Sequence, residues 1–234
     1  METEKHAKPV GSFSLFKKSK NLILKNLNTF GLIFLVPFLI GLFTNIRSSR
    51  GSLGGSMSVA SPGLGFSPAA LGAGAFVGLI ILVIYVIVSL MTYVLNLETA
   101  KGNKPTVSDL WPVVQKFGVR LVLLSIAITA VIILGLLALI VPGLIFIRRY
   151  YLAPYVMLDR DLSVGDAMKE SARLSKPFSG SVWGIFGVMF LLSLPGIVPV
   201  VGWIVSFALT FFYSVAPALR YEELKKLTPL TSSN

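Results

Sequence analysis

The chain predicts an all-α fold, a polytopic membrane helical bundle of about six transmembrane helices paired in hairpins, and three observations predict it. Apolar residues fill 54% of the 234 positions and charged residues 13%. Mean hydropathy is +0.80, well above that of a soluble domain. Six apolar runs approach the roughly 20 residues that a helix needs to cross hydrocarbon. A segment also recurs. Val107-Ser108-Asp109 returns as Val164-Gly165-Asp166, and Val141-Pro142 returns as Val198-Pro199 at the same offset. Tyr150 with Ala153-Pro154 returns as Tyr213 with Ala216-Pro217, six residues later than that offset, which fits one insertion in the second copy. The repeated unit is an inner segment, a span, a tight turn and a second span.

In chain order, residues 1–27 read as a basic cytoplasmic leader and residues 28–97 as a first hairpin. Its first run, Asn28 to Ile46, is longer than a signal-peptide core and lacks a small-x-small cleavage site, so it reads as an uncleaved anchor. Residues 44–68 hold seven Ser and five Gly without periodicity and read as a flexible outer loop. The second run, Ala69 to Leu97, is the longest and carries no charge, so it should tilt or extend past the bilayer.

Residues 106–158 form the second hairpin unit, with runs from Leu121 to Val141 and from Gly143 to Leu158. Residues 163–219 form the third, with runs from Gly180 to Pro195 and from Val200 to Leu219, and residues 220–234 are a cytoplasmic tail. Pro and Gly at Val141-Pro142-Gly143 and between Pro195 and Gly202 close the two later hairpins tightly.

Both repeated units open with a hydroxyl and a carboxylate three residues on, Thr106 with Asp109 and Ser163 with Asp166, a helix-start signature. Val107, Leu110, Trp111 and Val114 then follow helical spacing, although Pro112 should break or kink that helix. In the second copy Val164, Ala167, Met168 and Ala172 lie opposite Lys169, Glu170 and Arg173. Both segments are expected as interfacial cytoplasmic helices.

Charge placement sets the orientation. With the amino terminus inside, all but four of the 21 basic residues fall in cytoplasmic segments; the exceptions are Arg47, Arg50, Arg148 and Arg149. The positive-inside rule therefore puts both termini in the cytoplasm. Lysines and arginines facing an anionic leaflet account for the net charge of +11, so no nucleic acid is implied.

The available chemistry points away from catalysis. The chain has no cysteine, which excludes disulfides and thiolate metal sites, and its one histidine, His6, lies in the leader. All ten acids fall in segments assigned to the cytoplasm, which leaves no intramembrane carboxylate pair. No glycine-rich phosphate loop is present. No catalytic residue, metal or cofactor is expected.

The one anomaly within a span is Arg148-Arg149. Arg148 lies six residues beyond Pro142, about 9 Å along a helix, so it is expected in the outer half of the membrane. Two readings follow: the arginines snorkel to outer-leaflet phosphates, or they line an internal site for an anionic headgroup or solute. In the second, Tyr151 and Tyr155 lie beside Arg148 at i+3 and i+7, and a bidentate guanidinium suits phosphate. Membrane lipids with anionic headgroups are the expected partners. Small residues at Ala70, Gly74 and Gly78, and at Gly180, Gly184 and Gly187, suit helix packing within the bundle or against a second copy or another membrane protein.

The combination of Val141-Pro142-Gly143, Arg149, Ala153-Pro154, Asp159, Leu162-Ser163, Ala167, Ser171 and Lys176 resembles the membrane domain of membrane-anchored glycerophosphodiester phosphodiesterases, and related uncharacterised six-span bacterial membrane proteins. The resemblance covers roughly Thr106 to Glu223. The family's catalytic part is a separate soluble barrel with metal-binding carboxylates and histidines, which these 234 residues do not contain. The resemblance thus implies a bacterial cytoplasmic membrane location and an arginine at position 149, and it brings no activity with it. The expected function is a non-catalytic membrane module that organises lipids or partner proteins; the alternative is a transporter or lipid-translocating protein for an anionic or phosphate-bearing substrate.

Overall fold

A computed structural model describes residues 9–53, 68–198 and 200–228; side chains at positions 43–53, 68–78 and 80 lie outside the description. His6, the 54–67 part of the outer segment and Pro199 of the second outer turn fall outside it too. Among the described residues every regular element is helical. The helices are α1 (Ser14–Lys25), α2 (Leu27–Leu53), α3 (Pro68–Ala100), α4 (Val107–Ala138), α5 (Ile140–Tyr150), α6 (Ala153–Arg160), α7 (Val164–Ser175), α8 (Ser179–Ser193), α9 (Val201–Tyr213) and α10 (Ala216–Leu227). A short 3-10 turn, Leu194–Ile197, follows α8.

Four stretches are long and apolar enough to cross a membrane: Ile81–Ala100, Val107–Ala138, Ser179–Ile197 and Val201–Leu227. A fifth results if α1 and Leu27–Leu42, bent by 102° at Asn26, count as one. The expected fourth run, Gly143 to Leu158, is not a single helix. It divides into α5, 11 residues, and α6, 8 residues. The reason is Pro154, which has no N–H to continue α5 and whose ring would meet the carbonyl of Tyr150; it is accommodated instead in the first turn of α6. Ala216-Pro217 does the same between α9 and α10, so the last span is also broken.

Several boundaries differ from the sequence expectation. Residues 44–53 are not loop but continue α2, and no proline interrupts them before Leu53. The leader contains α1, whose Leu15, Ser19 and Ile23 are buried against the bundle while Lys17, Lys18 and Lys20 face outward. That i, i+4, i+8 stripe was present in the sequence, and lysine density masked it.

The Thr106–Asp109 capping box forms, with the Thr106 backbone N–H donating to Asp109 Oδ2 at 2.8 Å. It starts no separate interfacial helix, because α4 runs on through Pro112 for 32 residues. Pro112 deprives only the Ser108 carbonyl of its helical donor, and Ser108 is exposed, so the break is not forced. α7 is a separate amphipathic helix, as expected, and Ser163 Oγ accepts from the Asp166 N–H at 3.2 Å. Its buried side, Ala167, Ser171, Leu174 and Ser175, packs on α5 and α6 rather than on lipid beneath the bundle. Pro177 ends it, because proline has no N–H to offer the Arg173 carbonyl.

Ionic contacts gather at one end of the bundle, where the carboxyl end of α3, the amino end of α4, α6, α7 and α10 meet. The opposite end is apolar, with Leu137, Leu139, Ile140, Val141, Ile197, Val198 and Val201 all exposed. At that end α4 and α5 close on a glycine pair: a Cβ on Gly135 would lie 3.0 Å from the Gly143 Cα. A Cβ on Gly202 would overlap the Pro195 carbonyl oxygen, so the second turn also needs a bare backbone. Of the small residues in α8, Gly184 faces Ser12, whereas Gly187 faces open space.

These contacts predict opposite outcomes for two similar changes. Gly202→Ala should lower the stability of the detergent-solubilised protein by about 1–3 kcal/mol through overpacking. Gly187→Ala should be neutral or stabilise by up to about 1 kcal/mol, because mid-helix glycine is entropically costly. Thermal unfolding of the two variants beside the parent measures both.

Candidate functional site: a polar cavity and an unpaired arginine pair

The breaks at Tyr151–Leu152 and Ser214–Val215 open a cavity of about 380 Å³ among α2, α3, α6, α8 and α9. Three helices supply its polar wall. Tyr85, Ser89, Thr92, Tyr93 and Asn96 come from α3 at spacings of three and four, which place them on one face. Tyr151 and Tyr155 come from the α5–α6 junction, and Thr210 and Ser214 from the end of α9. Phe34, Pro37, Val88, Met189 and Pro217 complete the lining, and no charged side chain contributes.

Hydrogen bonding decides what this wall presents. Ser89 Oγ donates to the Tyr85 carbonyl at 2.8 Å, Thr92 Oγ1 to the Val88 carbonyl at 2.8 Å and Thr210 Oγ1 to the Ser206 carbonyl at 2.8 Å. Those three protons are engaged within their own helices, which leaves oxygen lone pairs facing outward from the helix. Tyr151 donates to Met189 Sδ at 3.5 Å. Asn96 is 3% exposed, and its Oδ1 has no partner; neither has Ser214 Oγ. An unsatisfied buried acceptor costs about 1–3 kcal/mol, so a wall with two such groups favours anything that satisfies them.

The expected site residues do not form one site. Tyr151 and Tyr155 enter the cavity, but Arg148 and Arg149 do not line it. The i+3 and i+7 spacing assumed a continuous helix, and the break ahead of Pro154 removes that register. Both arginines instead sit in the last turn of α5, where the negative end of the helix dipole favours cations. The Arg149 carbonyl accepts from Ser171 Oγ at 2.6 Å, so the end of α5 rests on α7, within the charged layer. Arg148 and Arg149 thus stand at the end of α5 away from Val141-Pro142. Arg148 and Arg149 are half-buried, and the Nε of each is buried without a hydrogen-bond partner. Among the described residues neither pairs with a carboxylate, whereas Arg120 pairs with Asp161, Arg160 and Arg173 with Glu170, and Arg220 with Glu223.

Sequence reasoning missed the α3 polar face, whose signal was a period of three to four among Tyr85, Ser89, Thr92, Tyr93 and Asn96 inside the longest apolar run. It also missed the role of Asp159. That carboxylate, 6% exposed, accepts from Lys101 at 2.9 Å, from the Tyr221 hydroxyl at 2.7 Å and from Lys225, so it ties α3, α6 and α10 together beneath the cavity. Tyr221 in turn stacks on Tyr155, with ring centroids 6.4 Å apart. Asp161, in a left-handed conformation after α6, accepts from Lys116 and Arg120 of α4.

No family model matches the chain, and no curated protein or solved structure matches it either.

The Asp159 clamp predicts an acid-labile bundle. Burial raises its carboxyl pKa, but the hydrogen bonds from Lys225, Lys101 and Tyr221 outweigh that and hold it at about 2, below the ordinary 3.8. Because the folded value is depressed, its stabilisation, about 2 kcal/mol, is complete above roughly pH 4 and lost as pH falls towards 2. Melting of the detergent-solubilised protein between pH 6 and 2 should show this loss. Asp159→Asn should start less stable and have a shallower dependence across that window.

Proposed function

We propose that this chain is a non-catalytic, multi-pass protein of a bacterial cytoplasmic membrane that organises lipids by holding an anionic headgroup at Arg148 and Arg149. One observation carries the reading: of the arginines whose side chains are described, these two adjacent residues lack a carboxylate partner, and each keeps a buried Nε unpaired. Leaving a guanidinium donor desolvated and unpaired is unfavourable, and a phosphate oxygen is the acceptor that a membrane supplies in quantity. Both termini are cytoplasmic in this reading, and α5 with α6 together make a sixth, broken crossing of about 28 Å. The headgroup then comes from the inner leaflet, since the end of α5 rests on α7. The two later hairpin units are copies of one ancestral hairpin; the shared break before Ala153-Pro154 and before Ala216-Pro217 supports that descent.

A second reading has an observation of its own. A transporter of an anionic or phosphate-bearing substrate would bind it where discontinuous helices meet, and two broken helices meet at the cavity. Its uncharged lining supports lipid organisation more than anion transport, because no cationic side chain lines the cavity.

Native mass spectrometry of lipids retained after purification tests the leading reading. Arg149→Leu should leave insertion intact and reduce retention of anionic lipid at least about tenfold, the effect of one lost charged hydrogen bond. Arg149→Lys should restore retention only in part, because an ammonium cannot reproduce two parallel contacts. Arg148→Leu is the comparison that apportions the site between the two residues. Equal retention by the parent and all three variants would remove the reading. Flux of phosphate-bearing solute or lipid in proteoliposomes, abolished by the same substitutions, would favour transport instead.

The orientation has a separate test. Cysteines placed at Ser56 and at Lys169, whose side chain is 84% exposed, should react with impermeant reagents from opposite sides of the membrane. Labelling of both from one side would contradict the proposed crossings.

A further inference from the structure

The geometry points to the cavity as a second binding site, distinct from the arginines, for an uncharged ligand that presents hydroxyl donors, namely the hydroxyl-bearing part of a neutral amphiphile or a free polyol. The volume, about 380 Å³, lies within the range of small-molecule sites. The character of the wall sets the ligand class. Ser89, Thr92 and Thr210 spend their protons on carbonyls of their own helices, so each offers the cavity lone pairs. Asn96 Oδ1, an acceptor by nature, is buried and unpartnered, and Ser214 Oγ beside the α9–α10 break is unpartnered as well. The acceptors at Ser89, Thr92, Thr210 and Asn96, beside the hydroxyls of Tyr85, Tyr93, Tyr155 and Ser214, suit ligand hydroxyls, which donate as well as accept.

Charge excludes the other donor-rich ligands. An ammonium ligand would find tyrosine faces, but no carboxylate lines the cavity and the chain carries +11. A phosphate or carboxylate would meet the hydroxyls of Tyr85, Tyr93, Tyr155 and Ser214 but no cation to offset its charge. The source of the ligand is suggested by Tyr85, which lines the cavity and is 59% exposed on an apolar face of α3, beside the exposed Ile81, Leu82 and Ile84. A molecule entering there comes from the surface that faces lipid, with its hydroxyls inside and its chain outside.

The test uses the full chain in an amine-oxide detergent, which has no hydroxyl to compete, and reads the melting temperature with each of four probes. Monooleoylglycerol should raise it by several degrees by mass action. Methyl oleate, with the same chain and no donor, should not, and neither should choline. Glycerol alone distinguishes the sources: a shift with glycerol assigns the site to free polyols, and a shift with monooleoylglycerol only assigns it to a lipid. Asn96→Leu should abolish the shift, and Ser214→Ala, a smaller change in the same wall, should diminish it if Asn96→Leu fails to fold. Arg149→Leu should retain it, which separates this site from the arginine pair. An equal shift with methyl oleate or choline, no shift with either hydroxylated probe, or a full shift in both cavity variants would overturn the assignment.

Discussion

The carboxylate of Asp159 holds together three segments that no covalent or helical continuity joins. Lys101 directly follows α3, Asp159 lies near the end of α6, and Tyr221 and Lys225 belong to α10. Two helix pairs interrupted ahead of a proline, α5–α6 and α9–α10, meet here. The clamp fixes the lower half of each against the other and against α3. Its placement at the charged end, with a side chain only 6% exposed, lets the hydrogen bonds outweigh desolvation. Neighbouring ion pairs extend the layer: Asp161 ties α6 to α4, and Glu170 ties α7 to Arg160. The fully buried Arg220 holds Glu223 and receives Ser12 of the amino-terminal segment as a further partner at 3.1 Å.

The cavity is a consequence of the same breaks. Uninterrupted helices would pack side by side along their length, and the space between them would close. Pro154 and Pro217 each interrupt a helix, and Tyr151 and Ser214, three residues before them, line the gap. The buried Ala153 and Ala216 that precede the prolines let the shortened segments approach closely. Tyr155, stacked on Tyr221 and edge-on to Tyr93, connects the floor of the cavity to the clamp beneath it. A change in what occupies the cavity is thereby coupled by direct packing to the residues that hold the charged end.

The arginine pair and the cavity differ in the chemistry they present. Arg148 and Arg149 end α5, where the helix dipole favours positive charge, and they rest against α7, whose Ser171 and Ser175 hydroxyls engage the Arg149 carbonyl. That contact satisfies a carbonyl left without a helical donor by the break. Cationic donors on one side of the α5–α6 junction and neutral acceptors on the other give the junction complementary chemistry, with Tyr151 at the boundary.

Composition and pattern by themselves determined the helical class, the membrane-compatible runs, both helix starts at Thr106 and Ser163, and the Ala-Pro positions at which something had to happen. These are local properties: hydrophobic length, a hydroxyl three residues before a carboxylate, and a proline without an N–H act through near neighbours in the chain. Tertiary structure decided the rest. Whether Pro112 or Pro154 breaks its helix depends on which carbonyl is stranded and on whether water can reach it. Whether Tyr151 and Tyr155 join Arg148 depends on a register that the break removed. The partners of Asp159 come from residues 58 positions before it and 62 and 66 positions after it, and the polar face on α3 becomes a cavity wall only opposite the ends of α5 and α9. Such contacts depend on packing between distant segments, which a one-dimensional period does not encode.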